Sequence, residues 1–144
     1  MGAEKKRRRK QPKQDLAKLE RRIIVGWILG GLIGGGVGAA IWTVVGNYTG
    51  YEFGFLAWGV GALAGIGLHV SGQGYGESRS GWIAVAIALF SIVIGRFAIF
   101  WSFTGSAIDA LDIALGFFVD PLGVLWGGLA RFTAYRIGSG SQFD

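Results

Sequence analysis

The stretch Ile23-Ile24-Val25-Gly26-Trp27-Ile28-Leu29-Gly30-Gly31-Leu32-Ile33-Gly34-Gly35-Gly36-Val37-Gly38-Ala39-Ala40-Ile41-Trp42-Thr43-Val44-Val45 contains no charged residue. It exceeds the roughly 20 apolar residues that a helix needs to cross a bilayer. A cleavable signal peptide would be shorter, and although Ala39-Ala40 imitates a cleavage site, the apolar run continues past it. The reading is an uncleaved membrane anchor.

Working outward, the same pattern recurs. Residues 53–70 and 81–101 predict a second and a third transmembrane helix, separated from the first and from each other by Gly-, Ser- and Tyr-containing loops. Asp120-Pro121 has the form of an N-cap followed by proline at the first helical position, opening a fourth helix over 121–137. Before it, residues 106–119 carry Asp109 and Asp112 on an otherwise apolar segment, the mark of a short interfacial or re-entrant helix. The rival is one long helix from about Ser106, kinked at Pro121. The expected fold is therefore all-α, an integral membrane bundle of four transmembrane helices with a short helix before the fourth. Residues 138–144 read as a flexible cytoplasmic C-terminus.

Charge is split unevenly along the 144 residues. Residues 1–22 hold ten of the fourteen Lys and Arg and three of the nine acids, a net of +7, which leaves −2 for the other 122 residues. With 51% hydrophobic residues, so little polar surface cannot cover a soluble protein. Arg79 lies between the second and third helices, and Arg131 and Arg136 lie toward the end of the fourth. The positive-inside rule then places both termini in the cytoplasm.

The basic segment includes the block Lys5-Lys6-Arg7-Arg8-Arg9-Lys10 and, closer to the first span, Lys13, Lys18, Arg21 and Arg22. Such a juxtamembrane cluster attracts anionic headgroups, at about 1 kcal/mol per basic residue. Leu16, Leu19 and Ile23 have near-helical spacing, so residues 15–22 either extend the first helix or lie along the membrane. Nucleic acid is disfavoured, because no aromatics are interleaved and a membrane anchor follows directly. Myristoylation at Gly2 is disfavoured by Lys6.

The 27 glycines call for close helix packing. Gly26, Gly30, Gly34 and Gly38 recur every four residues beside a second row of Gly31, Gly35 and Ala39. Gly61 and Gly65 form part of a stripe on the second helix, and Gly123 and Gly127 part of one on the fourth. Small-xxx-small rows let helix backbones approach in a membrane. They hold the bundle together, and the double row on the first helix also offers a face for a homo-oligomer.

Ionisable residues at membrane depth are the site candidates. Arg96 lies about five residues from the expected outer end of the third helix, and Asp120, Asp109 or Asp112 would neutralise it as an intramembrane ion pair. Glu52 is expected at the mouth of the second helix. His69 is the single histidine and the chain has no cysteine, so no metal site is expected. Gly59-Val60-Gly61 with Gly65 superficially resembles a dinucleotide loop but sits inside an apolar helix without a preceding strand. No phosphate loop, zincin motif or nucleophile elbow occurs, so neither a catalytic centre nor a cofactor is expected.

The segment Thr49-Gly50-Tyr51-Glu52-Phe53-Gly54, opening the glycine-rich second helix, resembles a group of small uncharacterised bacterial multi-pass membrane proteins. The closing Leu125-Trp126-Gly127-Gly128-Leu129-Ala130-Arg131-Phe132-Thr133-Ala134-Tyr135-Arg136 is similar to that group's ending. This chain lacks the zinc-ribbon cysteines that some members carry, and Asp-Pro stands upstream where Phe-Asp would directly precede Leu-Trp. The resemblance implies a four-helix architecture in a bacterial inner membrane and no particular activity. The leading expectation is a non-enzymatic scaffold or accessory subunit, and the alternative is a small homo-oligomeric channel or transporter.

Overall fold

The computed structural model describes residues 2–51, 54–73 and 76–140, with the side chains of residues 2–12 outside the description. Five helices make up the described residues: α1 Gly2–Thr49, α2 Phe55–Ser71, α3 Ser78–Thr104, α4 Ala107–Gly116 and α5 Pro121–Gly138. The Lys5–Lys10 block and Pro12 fall within α1, but their side chains are outside the description, and the 141–144 end is outside it altogether.

The main departure from the sequence expectation is α1. It does not begin at Ile23 but continues the basic segment and the apolar stretch as one helix of 48 residues, about 72 Å at 1.5 Å per residue. Lys, Arg, Gln, Glu, Ala and Leu, which dominate the basic segment, are good helix formers. Residues 15–22 thus extend the first helix. The other boundaries lie within a few residues of expectation: α2 starts two residues late, and α3 begins three earlier and ends three later.

Helix α3 starts at a capping box in which Glu77 is the N-cap and Ser80 returns the bond, its Oγ accepting from Glu77 N at 2.9 Å. It ends at Gly105, whose φ of +66° favours a residue without a Cβ. At α5, Asp120 accepts from Gly123 N at 3.1 Å and Pro121 occupies the first turn, as the Asp-Pro pair predicts. A break between Gly116 and Pro121 and a bend of 76° separate α4 from α5. A single kinked helix is therefore replaced by two elements. Ser106 caps α4, accepting from Asp109 N.

Helices α2 and α3 touch each other, and α1 and α5 each pack against both of them; α4 packs on α3 alone. The small-residue rows explain this arrangement. A Cβ on Gly26 would lie 2.9 Å from the Ser71 carbonyl oxygen, and one on Gly38 would lie 2.9 Å from Val60 Cα, while Gly30 and Gly34 abut the Gly67 and Leu63 carbonyls. The first row is the α2 seat. The second row faces α3, with Gly31 against Ile87, Gly35 against Ser91, and Ala39 against Gly95.

On α2, Gly61 abuts Ala130 and Gly65 abuts Ala134 and Ile137 of α5. Gly123 and Gly127 meet the Phe117 backbone and ring, so that row seats the turn before its own helix instead of another helix. Polar side chains tie the helices at several points. Thr43 Oγ1 donates to the Gly95 carbonyl (3.3 Å), Ser80 Oγ to the Gly138 carbonyl (2.8 Å), and Trp58 Nε1 to Thr133 Oγ1 (2.8 Å).

The interior is filled by small residues with a few large ones. Ala57, Ala64, Ala84, Ala88, Ala130 and Ala134 are completely buried, along with Trp42, Leu68 and Ile92. The large aliphatic side chains Leu29, Ile33, Val37, Ile41 and Val44 of α1, and Leu122, Val124, Leu125 and Leu129 of α5, are exposed. Helices α1 (over Lys13–Thr49) and α3 are each long and apolar enough to cross a membrane, and the bent α4–α5 pair makes a third if it counts as one span; α2 is a shorter apolar helix of 17 residues.

Candidate functional site

Arg96 is the charged residue that the fold buries most among the described residues, at 9% exposure. It sits eight residues before the end of α3, about 12 Å along the axis, deeper than the sequence suggests because α3 runs on to Thr104. Its guanidinium lies 4.8 Å from the Phe117 ring centroid and 5.3 Å from that of Phe100. One terminal nitrogen donates to the Ile113 carbonyl at 3.3 Å. Aromatic faces attract a guanidinium by their quadrupole, an attraction that grows as water is excluded.

A cavity of about 150 Å³ adjoins it, walled by Trp42 of α1, Gly54 ahead of α2, Arg96 of α3, Phe117 and Asp120 of the α4–α5 turn, and Leu122, Gly123 and Trp126 of α5. Arg96 and Asp120 therefore share one cavity. Asp120 spends one oxygen, Oδ2, on the Gly123 N–H. Asp109 and Asp112 are placed differently, both exposed on α4. The bend at 117–120 separates Asp120, at the start of α5, from Asp109 and Asp112 of α4. Glu52 lies outside the described residues.

Three wall residues were not singled out by the sequence reading. Trp42 is 1% exposed and its Nε1 is buried with no hydrogen-bond partner among the described residues. Phe117 packs edge-on against it, with centroids 6.2 Å apart. Trp126 lies so close to Gly54 that a Cβ there would strike its indole. Within an apolar span a tryptophan gives no outward sign of whether its N–H faces lipid, a partner or a cavity.

The helix-packing candidates Gly26, Gly30, Gly34, Gly38, Gly61 and Gly65 all stand at interhelical contacts within the one chain. Gly36, Gly59 and Gly128 have nothing among the described residues within 4 Å of an added Cβ. Arg21 and Arg22 are exposed on α1, immediately before the apolar stretch. Arg131 and Arg136 lie over the Phe118 and Phe132 rings, at 5.9 and 5.6 Å.

The class these features define is an all-α chain with two helices, or three with the bent pair, suited to a membrane. No protein-family model matches the chain, and neither a curated protein nor a solved structure matches it.

Proposed function

We propose that the chain is a non-enzymatic integral membrane protein of four spans, α1, α2, α3 and α5, serving as a scaffold or accessory subunit of a membrane assembly. The observation that carries this reading is the inversion of the usual size order. Glycine and alanine fill the helix contacts, while Leu29, Ile33, Val37, Leu125 and Leu129 point outward. In water, withholding such side chains from burial forgoes about 1.5–3 kcal/mol each. In lipid it costs nothing, and close backbone packing supplies the cohesion.

In this reading α4 lies at the outer interface, with Ile108 and Leu111 toward lipid and Asp109 toward water. Both termini and the 71–80 loop are cytoplasmic, in the inner membrane of a bacterium. Lys13, Lys18, Arg21 and Arg22, carried on the N-terminal extension of α1, meet anionic headgroups or a cytoplasmic partner. Contact between α2 and α3 across the bundle favours a scaffold over a pore through a single chain.

The test is a mild-detergent pull-down of full-length tagged protein from its native membrane, with mass spectrometry and native mass of the eluate. A stoichiometric partner is the expected result. A homo-oligomer with nothing attached would sink the accessory role and move the weight to a channel, to be checked by liposome flux with Arg96 variants.

A further inference from the structure

We infer that α5 presents Arg131 and Gly128 as the docking point for a transmembrane helix of another protein, one that carries an aspartate or glutamate near the middle of the bilayer. The inference rests on the membrane and accessory-subunit reading above and names the chemistry of the partner. Ionisable side chains within a span as a rule face the bundle interior or meet an opposite charge. Arg96 is buried in the bundle, but Arg131 is exposed on α5. Among the described residues, its one hydrogen-bond, ion-pair or ring contact is with the Phe118 ring, 5.9 Å from the guanidinium.

That contact fixes the direction of the side chain. Helix α5 runs from Pro121 to Gly138, so Arg131 stands about 15 Å from its start and about 10 Å from its end. A guanidinium within 5.9 Å of a ring that precedes Pro121 leans along α5 toward its start. It points away from the cytoplasmic end, where snorkelling would carry it, and lies near mid-depth. Lipid phosphates sit at the interface, so the placement favours a carboxylate carried on a helix.

Gly128 stands one turn before Arg131 and is exposed, and nothing among the described residues lies within 4 Å of a Cβ added there. A glycine inside a helix weakens it, and no contact within the described chain requires this one. Without a Cβ at 128, an approaching backbone comes close enough for a short carboxylate side chain to reach the guanidinium. Val124, Leu125 and Phe132 are exposed around the pair. On the α3 side, a groove of about 380 Å³ between Trp82, Val85, Arg131, Phe132 and Tyr135 leaves room for the partner's apolar side chains.

A second copy of this chain does not fit the requirement. All nine acids lie outside residues 23–45, 53–70, 81–101 and 121–137, so a copy in the same orientation brings no carboxylate to the depth of Arg131.

The experiment places the full chain in phosphatidylcholine vesicles with a synthetic transmembrane peptide, a Lys-flanked Leu/Ala helix bearing one Asp at its centre. Fluorescence transfer between labels on the two measures their association, and the same peptide with Leu at the centre is the control. The Asp peptide is expected to bind about tenfold more tightly than the control, the scale of one hydrogen bond within a bilayer. Arg131→Leu should erase that preference. Gly128→Leu should weaken the Asp peptide severalfold with Arg131 still present. Both positions are exposed, so thermal stability should stay within the wild-type range.

Equal binding of the two peptides, or a preference that survives in Arg131→Leu, would overturn the inference. Loss of the Asp peptide on adding phosphatidylglycerol would overturn it in favour of an anionic lipid at Arg131, whereas persistence supports the helix. The accessory-subunit reading fails separately: a native partner that Arg131→Leu still retains removes this surface and keeps that reading, and an Arg131-dependent peptide contact without any native partner does the reverse. A chain that does not insert into vesicles would overturn the membrane reading and this inference together.

Discussion

Gly34 of α1 and Gly67 of α2 sit face to face. A Cβ on Gly34 would lie 3.3 Å from Gly67 Cα, and a Cβ on Gly67 would lie 3.2 Å from Gly34 Cα. Neither helix can accept a side chain here without separating from the other. The contact makes this crossing sensitive to substitution, because what each added methyl would meet is backbone.

Gly34→Ala should accordingly destabilise the protein by about 1–3 kcal/mol, as overpacking does. Gly36→Ala, two positions away with nothing among the described residues within 4 Å, should be neutral or stabilising by up to about 1 kcal/mol from reduced chain entropy. Unfolding in mixed micelles at increasing denaturing detergent measures both. Equal effects of the two substitutions would mean that the α1–α2 seat is not formed.

The guanidinium of Arg96 between Phe117 and Phe100 should show as an energetic coupling. A double-mutant cycle with Arg96→Met and Phe117→Leu is expected to give about 1–2 kcal/mol of interaction. Additivity within about 0.3 kcal/mol would mean that the ring contact carries no energy. If Arg96→Met leaves the amount of folded protein normal but alters ion flux, the residue serves a pore.

Ser80 holds two structures together, the start of α3 through Glu77 N and the end of α5 through the Gly138 carbonyl. Ser80→Ala should cost about 1–2 kcal/mol from the lost cap and the orphaned carbonyl. Amide exchange should quicken at both helix ends together. Faster exchange confined to residues 77–81 would show that the link to α5 contributes nothing.

Orientation is testable because the chain has no native cysteine. A cysteine at Tyr48 should react with an impermeant thiol reagent on intact cells, and one at Ser78 only after permeabilisation. Replacing the ten Lys and Arg of residues 1–22 with Gln should produce a mixed population. A cysteine at Ser78 that labels from outside in the otherwise unaltered chain would reverse the topology.

Much of the fold was legible because long apolar runs are visible in composition alone. The apolar runs located α1, α2, α3 and α5, and Asp120-Pro121 located the start of α5, since an N-cap followed by proline is a local device. The N-terminal limit of α1 was not legible, because a highly charged segment of good helix formers has no apolar periodicity to declare itself as the extension of a span. Nor did any local pattern reveal Trp42 as a cavity wall.

What the sequence by itself determined, then, is which segments are helical and apolar, where their caps lie, and that small residues recur on chosen faces. Those properties depend on neighbours within a few residues. Only the tertiary structure decided which row meets which helix: Gly26 to Gly38 with α2, Gly31 and Gly35 with α3, and Gly123 and Gly127 with Phe117 of their own preceding turn. It also decided that Asp120 shares a cavity with Arg96 while Asp109 and Asp112 do not. The physical reason is that a small residue specifies close approach without specifying a partner, and that the 76° bend between α4 and α5 sets the directions of three carboxylates that lie within twelve residues of one another in the chain.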